Sequence, residues 1–333
     1  MRIVRLPYFF FAFFFPTLCF SQSNQNLSLF REKSVLFEKY LNRKDCNIHT
    51  SIKPFINSRK FEDIRDSVLK NMRRRNTDSL FPSIVRPPSR SRNSISPSSI
   101  MNAGFGYERS AKLILEKGVA LKGNIQDKFS FNGTFIAGNS SFPSYLDTFI
   151  TATDIVPGMG AAYSSKRGYS YQYYSGYLSY SPNKIFNFQI GKGKHFWGDG
   201  YRSLFLSDVS NAYPFMKISA TVWKLKYVSL FTWMKDVTNP SHLKKDFLNK
   251  YGSFHYLSWN ATKRINIALF ESIIWQGTDS NRVRSFDVNY LNPVIFFRPV
   301  EYSLGSSDNA FLGASFKIKV GARQRQQFYG QLI

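Results

Sequence analysis

The 333 residues carry 45 Lys and Arg against 21 Asp and Glu, a formal net charge of +24, which taken alone points to nucleic acid or an anionic membrane surface. The length suits one large barrel or two ordinary domains, and two cysteines exclude a disulfide framework or a thiolate cluster. An aromatic content of 17% with a mean hydropathy of −0.28 fits a wall of alternating strands whose rings gather in interfacial girdles.

The N-terminus, MRIVRLPYFFFAFFFPTLCFSQ, reads as a secretory signal, with Arg2 and Arg5 as its charged region and Tyr8 to Phe15 as its apolar run. That run is shorter than the roughly 20 residues a spanning helix needs. Cleavage after Ser21 is predicted, residues 1–21 being the signal peptide, and an exported chain argues against a nucleic-acid partner. Leu18 before Cys19 speaks against lipid attachment, and cleavage leaves Cys46 without an intramolecular partner. Residues 22–81 read as a helical periplasmic segment, with helices over 29–46 and 59–75. In the second helix Phe61, Ile64, Val68, Leu69 and Met72 follow helical spacing, and Arg73, Arg74 and Arg75 suit a helix C-terminus. Between the helices His49 to Phe55 is extended before its proline. Residues 82–103 are a Pro-, Ser- and Arg-rich linker.

From about residue 104 to 333 the pattern becomes that of strands. Phe129, Phe131 and Phe135 alternate with Ser130, Asn132 and Thr134, and Tyr169, Tyr171, Tyr173 and Tyr177 share one face. Leu225, Tyr227, Phe231 and Trp233 share a face, as do Ile265, Ile267 and Leu269. Leu312, Ala314, Phe316, Ile318 and Val320 alternate with Lys317 and Lys319. A two-sheet sandwich gives the same alternation, but the signal, the aromatic load and the strand number favour a barrel. The predicted fold is therefore all-β: an antiparallel transmembrane β-barrel with a small N-terminal helical periplasmic part. Its apolar side faces lipid, and Lys317 and Lys319 face the lumen. The chain stops at QFYGQLI, which reads as the start of a strand. Because open edges are not tolerated in lipid, the expectation is an incomplete wall: a fragment, a truncated product or half of an assembly.

The most informative stretch is 186–218, FNFQIGKGKHFWGDGYRSLFLSDVSNAYPFMKI. Phe186, Phe188 and Ile190 alternate with Asn187 and Gln189, a Gly-rich loop follows, and alternation resumes with Met216 and Ile218 against Lys217 and Ser219. In the loop Trp197 and Tyr201 have ring faces that can stack on sugars, while Lys192, Lys194 and Arg202 can pair with uronate or phosphate. The same residues also suit a girdle and lumen-lining charges, Arg202 then anchoring Asp199 or Asp208. Arg298, in Asn292 to Glu301, has the same two readings, with Glu301 as its internal partner.

No metal or cofactor is expected: His49, His195, His242 and His255 fall in no metal-ligand spacing. Asp199 stands where a phosphate loop needs Lys, and no G-x-S-x-G elbow is present. Ser207 and Asp208 near His195 are only sequence neighbours, so the expectation is a non-enzymatic protein.

Trp197 to Asp208 followed by Ala212-Tyr213-Pro214-Phe215 resembles the core motif of the Wzi-type capsule-assembly proteins. The fuller match is to their Bacteroidetes branch, the RemB-like gliding-motility proteins, which add segments similar to His49–Pro54 and Asn292–Glu301. The resemblance runs from about residue 30 to the end, and family members continue well beyond Ile333. It implies an outer-membrane barrel, non-enzymatic, that retains or organises anionic surface polysaccharide. The implied partners are outer-membrane lipid, the barrel-assembly machinery and proteins of a gliding apparatus. The rival expectations are a structural part of a gliding or adhesin-display apparatus without sugar specificity, and an outer-membrane hydrolase dependent on His195.

Overall fold

The computed structural model describes residues 25–26, 41–43, 46–54, 56–57, 93–108, 110–126, 128–240, 247–279, 282–283, 285–292, 308–321 and 326–333. The expected signal peptide, most of both expected helices, the first part of the linker and Arg298 lie outside these residues. Twelve strands matter here: β1 (Ser94–Glu108), β2 (Ser110–Ile125), β3 (Phe129–Ser140), β4 (Gly160–Ser165), β5 (Gly168–Tyr180), β6 (Phe186–Gly193), β7 (Tyr213–Val222), β8 (Leu225–Pro240), β9 (Phe247–Trp259), β10 (Ile265–Gln276), β11 (Asn309–Val320) and β12 (Gln326–Leu332). They form one antiparallel sheet in the order β12-β11-β10-β9-β8-β7-β6-β5-β3-β2-β1, with β4 on the first residues of β5. Among the described residues the sheet is open, with β1 and β12 at its edges. The first strand starts at Ser94, inside the stretch read as linker. Pro97 lies within it, which only an edge strand tolerates readily. A helix, α1 (Ser144–Thr153), follows β3 and buries Ile150 against Phe142, Val156 and Tyr171.

On β6 and β7 and along parts of β10 and β11 the two faces have opposite polarity, whereas the middle of β8 to β10 has Val228, Leu230, Phe254, Tyr256 and Phe270 inside and buried Ser229, Ser253, His255 and Glu271 outside. On β6, Asn187 and Gln189 are 3% and 2% exposed, while Phe186, Phe188 and Ile190 are open. On β7, Lys217 and Ser219 are buried. On β10 and β11, Asn266, Lys317 and Lys319 are buried, whereas Ile265, Ile267, Phe316 and Ile318 are exposed. A water-soluble sandwich of this sequence would bury the second set and solvate the first. The inner polar groups are bonded to one another. Asn187 donates to Ser179 and Ser181 at 2.8 and 3.0 Å, and Asn266 to Ser258 and Asn260 at 2.9 and 2.8 Å. The tyrosine stripe of β5 also faces inward: Tyr171 donates to Glu116 at 2.7 Å and packs on Phe142.

Antiparallel order puts short connections at one end of the sheet: 126–128, 181–185, Trp223–Lys224, 260–264 and 321–325. The long connections 141–159, 194–212 and 277–308 are at the other, together with the short joins at 109 and 241–246. Connection 194–212 folds back over the inner face of β7 to β12, where it meets a strap, residues 46–54, arriving from the short-connection end. Their joint core holds Trp197, Phe205 and Ile52 against Val228, Leu230, Phe254, Tyr256 and Phe270.

Candidate functional site

The strap and the loop are joined by backbone. Ile52–Lys53 pairs antiparallel with Phe196–Trp197, and the Gly198 amide donates to the Ser51 carbonyl at 2.7 Å. Gly198 has φ +155, and a Cβ there would lie 2.8 Å from both Ser203 Oγ and Gln331 Nε2, so the turn requires glycine. Below this seam Lys317 Nζ donates to Asp199 Oδ1 at 2.6 Å and to the Thr50 hydroxyl, while Thr50 Oγ1 donates to the same carboxylate at 3.1 Å. Wall, loop and strap therefore meet at one buried ion pair, 3% and 6% exposed. Lys319 donates to the carbonyls of Leu41, Arg43 and Cys46 at 3.1, 3.2 and 3.0 Å. His49 bonds Ser258 at 2.9 Å. Both lysines lie on the inner face, the side expected for them.

The six residues read as ligand contacts do not converge. Lys192 follows the alternation of Gln189 and Gly191 and so points outward, its ammonium 3.5 Å over the Tyr174 ring. Lys194 is half-buried inside, 5.9 Å from the Tyr173 ring centre, and burial lowers its pKa against the pull of Asp208. Trp197 is 0% exposed, edge-on to Phe254 and Phe270, and presents no face on which a sugar could stack. Tyr201 and Arg202 are exposed where the loop passes β12, the guanidinium 5.9 Å from its neighbour's ring. Asp199, one of two carboxylates considered for Arg202, is held by Lys317 instead. Arg298 is outside the described residues.

His195, on which the hydrolase expectation depended, and His255 stand in surroundings the sequence did not show. His195 is 1% exposed, edge-on to Phe215 with ring centres 4.5 Å apart; Nδ1 meets Tyr213 at 3.4 Å, and Nε2 has no hydrogen-bond partner among the described residues. Burial, and then the charge of Lys217, hold its pKa well below 6.5. On the outer face His255 bonds Tyr227 at 2.7 Å and Ser253 at 3.1 Å. Ser253 donates to the Tyr290 carbonyl at 2.9 Å, and Phe286 stacks on Trp233, so segment 285–292 roofs this cluster. Among the described residues no group of His, Cys, Asp or Glu could hold a metal ion, and no helix is long and apolar enough to cross a membrane, which says nothing of strands. No protein-family model, curated protein or solved structure matches the chain.

Proposed function

We propose that this chain forms the wall of an outer-membrane β-barrel that binds anionic surface polysaccharide, after export through a cleaved signal peptide. One observation carries the membrane reading: large apolar side chains are exposed on the outer face while amides, hydroxyls and ammonium groups are buried on the inner. Each Phe, Ile or Leu left in water forgoes about 1.5–3 kcal/mol, a loss that hydrocarbon around the wall removes. Phe129 stacked on Tyr180, with Phe186, Trp223 and Trp259, collects rings near the short-connection end, as at a membrane interface. The three long connections all lie on one side, as extracellular loops do, and the other side has short turns alone. The likeness of His49–Pro54 and Trp197–Asp208 to the Wzi-type proteins supports the polysaccharide part, and so do the accessible Tyr201 and Arg202 and the basic balance of the chain.

The test has two arms. Folding into phospholipid vesicles should succeed, and Ile190→Arg, near the middle of the apolar belt, should weaken it by about 2–4 kcal/mol. A protein that is folded and monodisperse in buffer without detergent defeats the membrane reading. Binding of acidic glycans on a sugar array by the detergent-folded protein supports the second part. An array with no binding favours a structural component without sugar specificity.

A further inference from the structure

The inner face carries more positive charge than its carboxylates answer. Lys217 lies between Phe215 and Ser219 on β7 and is 2% exposed, yet no hydrogen bond or ion pair reaches it from the described residues. Lys226 on β8, paired in register with Thr221, shares that face; it is half-buried and equally without a carboxylate. The two ammonium groups repel each other, and the charge of Lys217 also reaches His195. The loop carboxylate Asp199 is committed to Lys317 and Thr50. Asp208 lies beside Lys194, and Asp236 sits near the far end of β8.

Neutral groups complete the surroundings. Gln189 stands opposite Lys217 in the ladder, and Asn187 stands opposite Ser219. Both are already bonded to Ser179, and neither can supply a negative charge. An unpaired ammonium group buried as deeply as that of Lys217 is unfavourable by several kcal/mol unless an anion joins it or it gives up its proton, and half-buried Lys226 adds a second positive charge to the same face. The available donors are the N–H groups of both lysines and the Ser219 hydroxyl, a set that suits an oxyanion with several acceptor oxygens.

We infer that Lys217, Lys226 and Ser219 form an oxyanion site on the inner face of β7 and β8, taking a carboxylate or phosphate group. The inference deepens the polysaccharide reading by moving recognition of the anionic group from the loop tip into the interior, and its ligand class rests on that reading. Lys226 keeps partial solvent contact, which leaves the site reachable by a dissolved anion.

The test is calorimetric titration of the full chain, folded in detergent, at constant ionic strength set with sodium chloride. Inorganic phosphate and tri-galacturonate are the two probes. Lys217→Met and Lys226→Met are the site variants, and Lys166→Met removes an exposed cation elsewhere. Replacing an unpaired buried charge by an apolar chain of similar length tends to keep or raise stability, so the site variants should fold; Lys226→Gln is a second variant at the more open position. At least one probe should bind the parent chain, with affinity falling tenfold or more in each site variant and unchanged in Lys166→Met. Failure of both probes on the parent chain, or unaltered binding in the site variants, overturns the site. Phosphate binding that depends on Lys217, without tri-galacturonate binding, keeps the site and removes its polysaccharide ligand. Acidic-glycan binding that survives both Met variants keeps the proposed function and removes the site.

Discussion

Removing the Asp199 charge should unseat strap and loop together. In Asp199→Asn the Lys317 ammonium remains buried, with the Thr50 hydroxyl and an amide oxygen in place of a carboxylate 2.6 Å away. Breaking one partner of a buried pair is destabilising by about 3–5 kcal/mol, because the survivor is an uncompensated charge. Replacing both partners by uncharged groups is close to neutral, so Asp199→Asn/Lys317→Met should recover most of that loss. The pair holds three separate segments, so the loss should be local. Proteolysis within the strap should rise in Asp199→Asn while the β-sheet circular dichroism signal stays, and the double variant should restore protection. Urea unfolding of the four proteins in detergent gives the coupling energy, expected at about 3 kcal/mol. Single losses below about 1 kcal/mol that simply add in the double variant would refute the idea that this pair is a shared latch.

Trp197→Ala should lower stability by about 3–5 kcal/mol, read as an earlier thermal transition, since the ring is wholly enclosed by Phe254, Tyr256 and Phe270. Gly198→Ala, at φ +155 with a filled Cβ position, should lose about 1–3 kcal/mol in the same measurement. His195 is held neutral in the folded chain, whereas the unfolded chain takes up its proton near pH 6.5. The contribution of this group should therefore be level above about pH 7 and fall below about pH 6.5, by up to about 1.4 kcal/mol per pH unit. His195→Asn should remove that share of the difference between urea midpoints at pH 7.5 and 5.5.

Much of the wall was legible in the amino-acid sequence because strand alternation is a local signal. Asn187 and Gln189 between Phe186, Phe188 and Ile190, and Lys317 and Lys319 between Phe316, Ile318 and Val320, declare two faces without any tertiary information. The strand from Ser94 was missed because Ser and Pro dominate its first half and its pairing with β2 supplies the order. The site was less legible. Trp197 in a Gly-rich loop with cationic neighbours resembles a surface binding residue, and only the fold-back of 194–212 encloses it. Lys217 was read merely as a polar alternation partner, because the lack of an anion beside it is a property of the neighbouring strand. Two of the segments on which the Wzi-type resemblance was read, His49–Pro54 and Trp197–Asp208, lie far apart in the chain, and nothing local says that they pair.

The seam between strap and loop also orders the assembly in time. His49 meets Ser258 across 209 residues, Thr50 meets Lys317 across 267, and the Leu41 carbonyl meets Lys319 across 278. The wall strands, by contrast, pair with near neighbours along the chain, mostly through tight turns. Contacts of such different sequence separation close at different rates, the distant ones late because their loop entropy is lost before any contact compensates. The strap must wait for β9 and β11 to exist before it has anything to grip, although it is synthesised long before them. The inner face of the sheet is therefore built first and covered last.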